Sequence, residues 1–225
     1  MQMLTRMTMQ GPVGDLECVL EVPDGQPVVG AAVVCHPHPQ HGGTMHNKVA
    51  HTLARAFVRC GFAALRFNFR GTEGSAGSYD DGVGELDDAL AALDWLAREY
   101  PNVPLWLGGF SFGAAIAVRA AISETGSATV RGLISVAPAI YRFANGLEQQ
   151  PECPWLVIQG DEDELVEVDD TVAWFNSLEP GPELLVLPGA EHFFHGRLGD
   201  LRSAVMEFVE EHRIIHGTDS VMHNG

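Results

Sequence analysis

The sequence LGGFSFGA, residues 107–114, links an apolar strand predicted over 105–109 to a helix predicted over 111–123. Gly109, Ser111 and Gly113 fit the pattern G-x-S-x-G, in which the strand-to-helix turn is too tight for side chains at the two flanking positions. A serine on such a turn lies above the sheet, next to the N–H groups and the positive dipole end of the helix. The pattern therefore favours a nucleophilic serine over a close-packed turn that has no chemistry.

Apolar runs alternate with helical patterns on both sides of this turn. The other predicted strands are residues 28–35, 62–69, 130–138, 153–160 and 183–189, and the other predicted helices are residues 47–61, 83–100, 169–178 and 198–215. Single helices between strands imply parallel pairing with right-handed crossovers. Two further strands at 3–9 and 15–22 predict an N-terminal antiparallel hairpin. The predicted fold is therefore α/β, a doubly wound and mostly parallel sheet with helices on both faces.

The length of 225 residues fits a single domain, residues 1–225. The longest irregular stretch, 139–152, is too short for a separate cap domain, so we expect an open site. The polar tail at 216–225 is expected to fray.

Composition excludes some classes of partner. With 13 basic and 30 acidic residues the formal net charge is −17, which argues against binding to nucleic acid or to anionic membranes.

The four cysteines form no CxxC pair and no secretory signal precedes them, so we expect free thiols in the cytoplasm. The glycines at 71, 74 and 77 lack the features of a nucleotide loop, and no cofactor is expected. A homodimer is compatible with the sequence, which does not fix the oligomeric state.

A serine nucleophile needs a base and an orienting carboxylate, and both follow strand ends. The strand at 153–160 is followed by the acidic run 161–164, and the strand at 183–189 is followed by His192 and His195. Ligands of open α/β sheets bind beyond the carboxyl ends of the strands, so the three groups are expected to converge there. Residue type leaves two acids, Asp161 and Asp163, and both histidines open. Glu162 and Glu164 are interpreted as solvated neighbours.

Several longer motifs carry a family resemblance. The sequences HPHPQHGGTMHNK (36–48), RFNFRGTEGSAGSYDDGVGE (66–85), GGFSFGA (108–114) and GAEHFFHGRL (189–198) resemble the compact, cap-less bacterial α/β hydrolases related to dienelactone hydrolases. The resemblance implies Asp163 as the acid and His192 as the base. Dienelactone hydrolases carry a cysteine nucleophile. Ser111 departs from that pattern, which favours esters or thioesters of small substrates, cleaved through an acyl-enzyme.

The second donor of an oxyanion hole is expected in the loop after the strand at 28–35, and the first is the backbone N–H of Phe112. Proline has no N–H, which excludes Pro37 and Pro39 and leaves His38. Two further roles are predicted by residue type. Arg70 is expected to pin neighbouring loops, and three aromatic residues, Tyr141, Phe143 and Trp174, are candidates for the acyl pocket.

Two other classes of function compete with a serine hydrolase. The first is a non-catalytic binding protein that keeps the fold. The second is a metal-dependent hydrolase that uses four histidines of one loop, His36, His38, His41 and His46. Zinc accepts imidazole ligands, but no acid or cysteine falls beside these histidines at a recognisable spacing. Structural hydrogen bonding is therefore the favoured role of this loop.

Overall fold

The structure is a computed structural model that describes residues 2–123, 129–139 and 149–213. Its strands are β1 (Gln2–Gly11), β2 (Gly14–Pro23), β3 (Gly30–Cys35), β4 (Phe62–Phe67), β5 (Leu105–Phe110), β6 (Val130–Val136), β7 (Trp155–Gly160) and β8 (Glu183–Leu187). Its helices are α1 (Lys48–Arg59), α2 (Val83–Glu99), α3 (Phe112–Ile122), α4 (Val168–Asn176) and α5 (Leu198–His212). Each predicted strand and helix is present, with ends that differ by a few residues.

The eight strands form one sheet in the order β1-β2-β4-β3-β5-β6-β7-β8. The hairpin β1–β2 is antiparallel and joins β4 in an antiparallel pair, whereas all pairs from β4 to β8 are parallel. The predicted fold class is confirmed. Parallel strands place their carboxyl ends along one edge, so the segments after β3, β5, β7 and β8 open on the same side of the sheet.

The central strands are buried on both faces. Along β3, Ala31 and Val33 belong to the core under α2 and α3, whereas Ala32 and Val34 belong to the core under α1 and α5. This alternation follows from the two-residue period of a strand. It explains why these strands are apolar throughout, as parallel strands covered on both faces usually are. The central strands thus form a packed base for the segments at their carboxyl ends.

The start of α1 shows how local sequence sets an element boundary. The Asn47 side chain accepts hydrogen bonds from the backbone N–H groups of Val49 and Ala50, at 2.8 and 3.3 Å. Asn47 is the N-cap of the helix, and it satisfies donors that have no partner within the helix.

Among the residues that the structure describes, no helix is both long enough and apolar enough to cross a bilayer.

Candidate active site

Ser111 lies on the turn between β5 and α3 in a strained backbone conformation. Its φ is +56° and its ψ is −115°, values that side-chain-bearing residues rarely adopt. The backbone N–H donates to the carbonyl of Val136 at 2.9 Å, and the carbonyl accepts from Ala114 N at 3.1 Å, which opens α3. These bonds hold a conformation of the kind that is concentrated at functional sites.

The two glycines of the turn are required by close backbone contacts. A Cβ atom at Gly109 would lie 2.3 Å from the carbonyl oxygen of Gly113, and a Cβ at Gly113 would lie 2.4 Å from that of Cys35. Real Cβ atoms do not approach backbone atoms this closely, so neither position tolerates a side chain. The close approach also sets the first turn of α3 directly against the segment that leaves β3.

His192 connects the serine to an acid. Its Nε2 lies 3.2 Å from Ser111 Oγ, and its Nδ1 lies 2.8 Å from Asp163 Oδ2. An ionised carboxylate only accepts, so the proton of the neutral imidazole is on Nδ1 and Nε2 can accept from the serine hydroxyl. His192 is 2% exposed and its ring packs on Phe110, with centroids 5.0 Å apart.

Asp163 is held by several donors besides His192. Its Oδ1 accepts from the backbone N–H groups of Leu165 and Val166, at 2.9 and 2.8 Å, and its Oδ2 accepts from Gln159 Nε2 at 2.8 Å. Burial raises the pKa of the Asp163 carboxyl, but the bonds from His192 and from the two backbone groups outweigh burial and lower the pKa below its ordinary value. Asp163 is therefore ionised at neutral pH.

The acidic run 161–164 is hydrogen-bonded to the loop that carries His192. Asp161 Oδ1 accepts from Gly189 N at 2.6 Å, and Glu162 N donates to Ala190 O at 3.1 Å. Glu164 is exposed, but its carboxylate accepts from His192 N at 3.1 Å. Glu162 and Glu164 are both exposed, in agreement with their interpretation as solvated neighbours, and the Glu164 carboxylate in addition fixes the backbone of the histidine.

The two acids and the two histidines that residue type left open have different partners. Asp161 binds the backbone of Gly189, whereas Asp163 lies against His192. His195 is exposed and pairs with Glu191, four residues before it in the chain. Of the predicted site residues, Ser111, Asp163 and His192 are therefore brought together, and Asp161 and His195 face other partners.

His36, the first residue of the histidine-rich segment 36–46, is hydrogen-bonded at both ring nitrogens. His36 is fully buried, its Nε2 accepts from Phe69 N at 3.0 Å, and its Nδ1 donates to Pro37 O at 2.6 Å. Burial lowers the pKa of His36 to about 4, so the ring is neutral. Across residues 2–123, 129–139 and 149–213, no three His, Cys, Asp or Glu side chains are grouped to hold a metal ion.

Arg70 is buried, and its guanidinium is paired with Asp88. Its Nε lies 3.0 Å from Asp88 Oδ2 and its Nη2 lies 2.8 Å from Asp88 Oδ1, while its backbone N–H donates to the same carboxylate at 2.9 Å. Arg70 thus ties the end of β4 to α2, in agreement with the structural role expected for it.

The three aromatic candidates for the acyl pocket differ in outcome. Tyr141 and Phe143 lie outside the described residues. Trp174 packs on Phe175 in α4, with ring centroids 4.8 Å apart, and is packed against the core.

Gln159, a fully buried partner of Asp163, was not predicted from sequence. Its signal was a polar amide near the end of an otherwise apolar strand.

The sheet order, the strained serine turn and the neighbouring histidine together define an α/β hydrolase. A family model described as "Serine aminopeptidase, S33" matches residues 32–149. The chain belongs to this family of α/β serine hydrolases. The resemblance predicted from the sequence motifs is thereby confirmed.

Comparison with known proteins gives several close relatives. An α/β serine hydrolase homologue from Coxiella burnetii is 44% identical with a TM-score of 0.84, over 90% of this chain and 96% of that one. A Xanthomonas campestris structure, described as an α/β serine hydrolase without lid, is 42% identical with a TM-score of 0.84, over 92% and 94%. An uncharacterized Rickettsia prowazekii protein is 34% identical over 79% and 77%.

A dienelactone hydrolase from Anabaena variabilis is more distant. It is 19% identical, with a TM-score of 0.77 over 94% of this chain and 98% of that one. At this identity the likeness shows a shared fold.

Proposed function

We propose that this serine hydrolase cleaves carboxylic ester or thioester bonds of small substrates through an acyl-enzyme, with Ser111, His192 and Asp163 as its triad. The observation that carries the proposal is the chain of contacts from Ser111 Oγ through both nitrogens of His192 to Asp163, at 3.2 and 2.8 Å. Three side chains from three strand ends meet in the geometry that nucleophilic acyl transfer needs.

In the proposed mechanism, Ser111 Oγ attacks the acyl carbonyl while His192 Nε2 takes its proton. The imidazolium that forms is stabilised by Asp163, which is ionised and accepts the hydrogen bond from His192 Nδ1–H. His192 then protonates the leaving alcohol or thiol, which departs and leaves the acyl group on the serine. Water, deprotonated by the same nitrogen, releases the acid and restores the hydroxyl.

The backbone N–H groups of Phe112 and His38 are the proposed oxyanion donors. Phe112 is the first residue of α3, and Gly113 beside it lies against the carbonyls of Cys35 and His36 at the end of β3. The rings of His38 and Phe112 have centroids 4.9 Å apart, so the two segments meet next to the serine. Removal of one such donor typically lowers the rate by about 10²–10³.

The site is proposed to take short acyl groups without a separate cap domain. This extends to the present chain what is described for the Xanthomonas relative, a serine hydrolase without lid. Only 18 residues, 137–154, separate β6 from β7. An insertion of this length is too short to fold as a covering domain of its own.

The test is hydrolysis of p-nitrophenyl esters of two to twelve acyl carbons, of matched thioesters and of an amino-acid p-nitroanilide. We expect turnover of short esters or thioesters that falls with chain length and that Ser111→Ala lowers by at least about 10³-fold. Ser203→Ala, on the exposed face of α5, is the matched control and should retain activity. Turnover of the anilide alone would contradict the proposed substrate class. Ester turnover that persists in Ser111→Ala and disappears with a chelator would instead favour the metal-dependent alternative.

A further inference from the structure

Tyr79 contacts both residues of the proposed oxyanion hole. Its hydroxyl lies 3.2 Å from His38 Nε2, and its ring centroid lies 5.0 Å from that of His38 and 6.1 Å from that of Phe112. The His38 and Phe112 rings are themselves in contact, so the three rings form one cluster. The cluster joins three segments that are distant in sequence: the loop after β3, the start of α3 and the loop before α2.

Tyr79 is held in place from both sides along the chain. Before it, Gly71 N donates to Ala76 O at 3.0 Å and closes the preceding turn. After it, the buried carboxylate of Glu85 accepts from Asp80 N at 2.9 Å and from Gly82 N at 2.7 Å. A tyrosine anchored on both sides restrains what it contacts, because little of its own freedom remains to be lost.

The hydrogen bond between Tyr79 and His38 has a defined direction. His38 Nδ1 accepts from the backbone N–H of Gln40 at 3.2 Å, so it carries no proton. The proton of the neutral ring is then on Nε2, which donates to the Tyr79 hydroxyl oxygen. Burial, with the nearby carboxylates Asp81 and Glu85, raises the pKa of Tyr79, and its hydroxyl stays protonated. The imidazole of His38 is therefore fixed at both nitrogens.

We propose that Tyr79 is a positioning residue that holds His38, and with it the backbone N–H proposed to bind the oxyanion. The inference rests on the proposed function. Donors of an oxyanion hole act by being oriented before charge develops. Loss of the tyrosine hydroxyl should therefore weaken binding of the transition state more than binding of the substrate.

The test compares Tyr79→Phe with Tyr100→Phe, which loses the same hydroxyl at the opposite end of α2. We expect Tyr79→Phe to lower kcat for a short p-nitrophenyl ester by about 3- to 10-fold with KM unchanged. The inhibition constant of a trifluoromethyl ketone of matched chain length should rise by a similar factor. Tyr100→Phe should leave all three values at the wild-type level.

A double-mutant cycle separates positioning from general packing. In a His38→Ala background, Tyr79→Phe should cause no further loss of kcat, because the contact that it removes is already absent. Wild-type kcat and inhibitor affinity in Tyr79→Phe, a change in KM alone, or full additivity in the cycle would each overturn the inference. Ser111→Ala is assayed in parallel: if it retains wild-type activity, the proposed function and this inference both fail, and if it is inactive, those outcomes count against Tyr79 alone.

Discussion

Asp163 and Asp161 lie two positions apart in one loop and bind different partners. Asp163 contacts His192 Nδ1, whereas Asp161 accepts from the backbone N–H of Gly189. Asp163→Asn should lower kcat by about 10³- to 10⁴-fold, because an amide neither fixes the reactive tautomer nor stabilises the imidazolium. The measurement is steady-state kinetics on the best ester of the panel.

Asp161→Asn is the matched control, since it makes the same change in the same loop. We expect it to keep kcat within about threefold, because an amide oxygen still accepts from Gly189 N. Equal losses in the two variants would contradict the assignment of the acid.

At the scale of single residues, the sequence predicted the types of residue in the site but not their contacts. The order of serine, acid and histidine after separate strands was enough to nominate Ser111, and residue type left Asp161 and His195 in competition with Asp163 and His192. The resemblance favoured the pair that the structure brings to the serine. Tyr79 was missed because His38 and Phe112 lie in segments distant from it in sequence. Gln159 was missed because residue type does not show that its side chain bonds to Asp163 across the turn after β7.

At the scale of elements, the turn from β5 to α3 depends on backbone contact rather than on side-chain packing. Gly113→Ala would place a Cβ 2.4 Å from Cys35 O, which the backbone of β3 cannot easily avoid. Overpacking of this kind costs about 1–3 kcal/mol, so Tm should fall by roughly 3–10 °C, with a large loss of activity. The measurements are thermal unfolding and ester turnover.

Gly199→Ala provides the control on α5, where a Cβ would meet nothing within 4 Å. Alanine favours helix over glycine, so Tm should stay constant or rise slightly. A Gly113→Ala protein with wild-type Tm and activity would show that the turn has room that the structure does not indicate.

The elements themselves were predictable because their patterns are strong. Strands buried on both faces read as continuous apolar runs, and the helix predicted over 47–61 matches α1 to within two residues at each end. The strand order could be predicted only in part, since the pairing of β2 with β4 rather than with β3 joins residues distant in sequence. That pairing is stabilised by a buried ion pair, Arg66 with Glu21 at 2.6 Å, which no local pattern reveals.

For the whole molecule, buried His36 links stability to pH. Its pKa is lowered from 6.5 to about 4 by burial, so between these values the unfolded chain binds the proton and the folded chain does not. Stability therefore falls as the pH is lowered from 6.5 towards 4. From this group alone, the free energy of unfolding should be about 2 kcal/mol smaller at pH 5.0 than at pH 7.5.

Urea unfolding of wild type and His36→Gln at the two pH values measures this contribution. The glutamine oxygen can accept from Phe69 N, so the variant is expected to fold and to lose about 2 kcal/mol of the pH dependence. An unchanged pH dependence in His36→Gln would refute the assignment of a neutral, buried His36.

The central claim is that Ser111 is the nucleophile, and covalent labelling tests it most directly. The protein is incubated with a fluorophosphonate and digested, and the adduct is located by mass spectrometry of the peptides. We predict one phosphonate on Ser111, formed in the wild type and absent from Ser111→Ala, with a much lower rate in His192→Ala. A wild-type protein that remains unlabelled, or that is labelled at another residue while Ser111 is unmodified, would contradict the account.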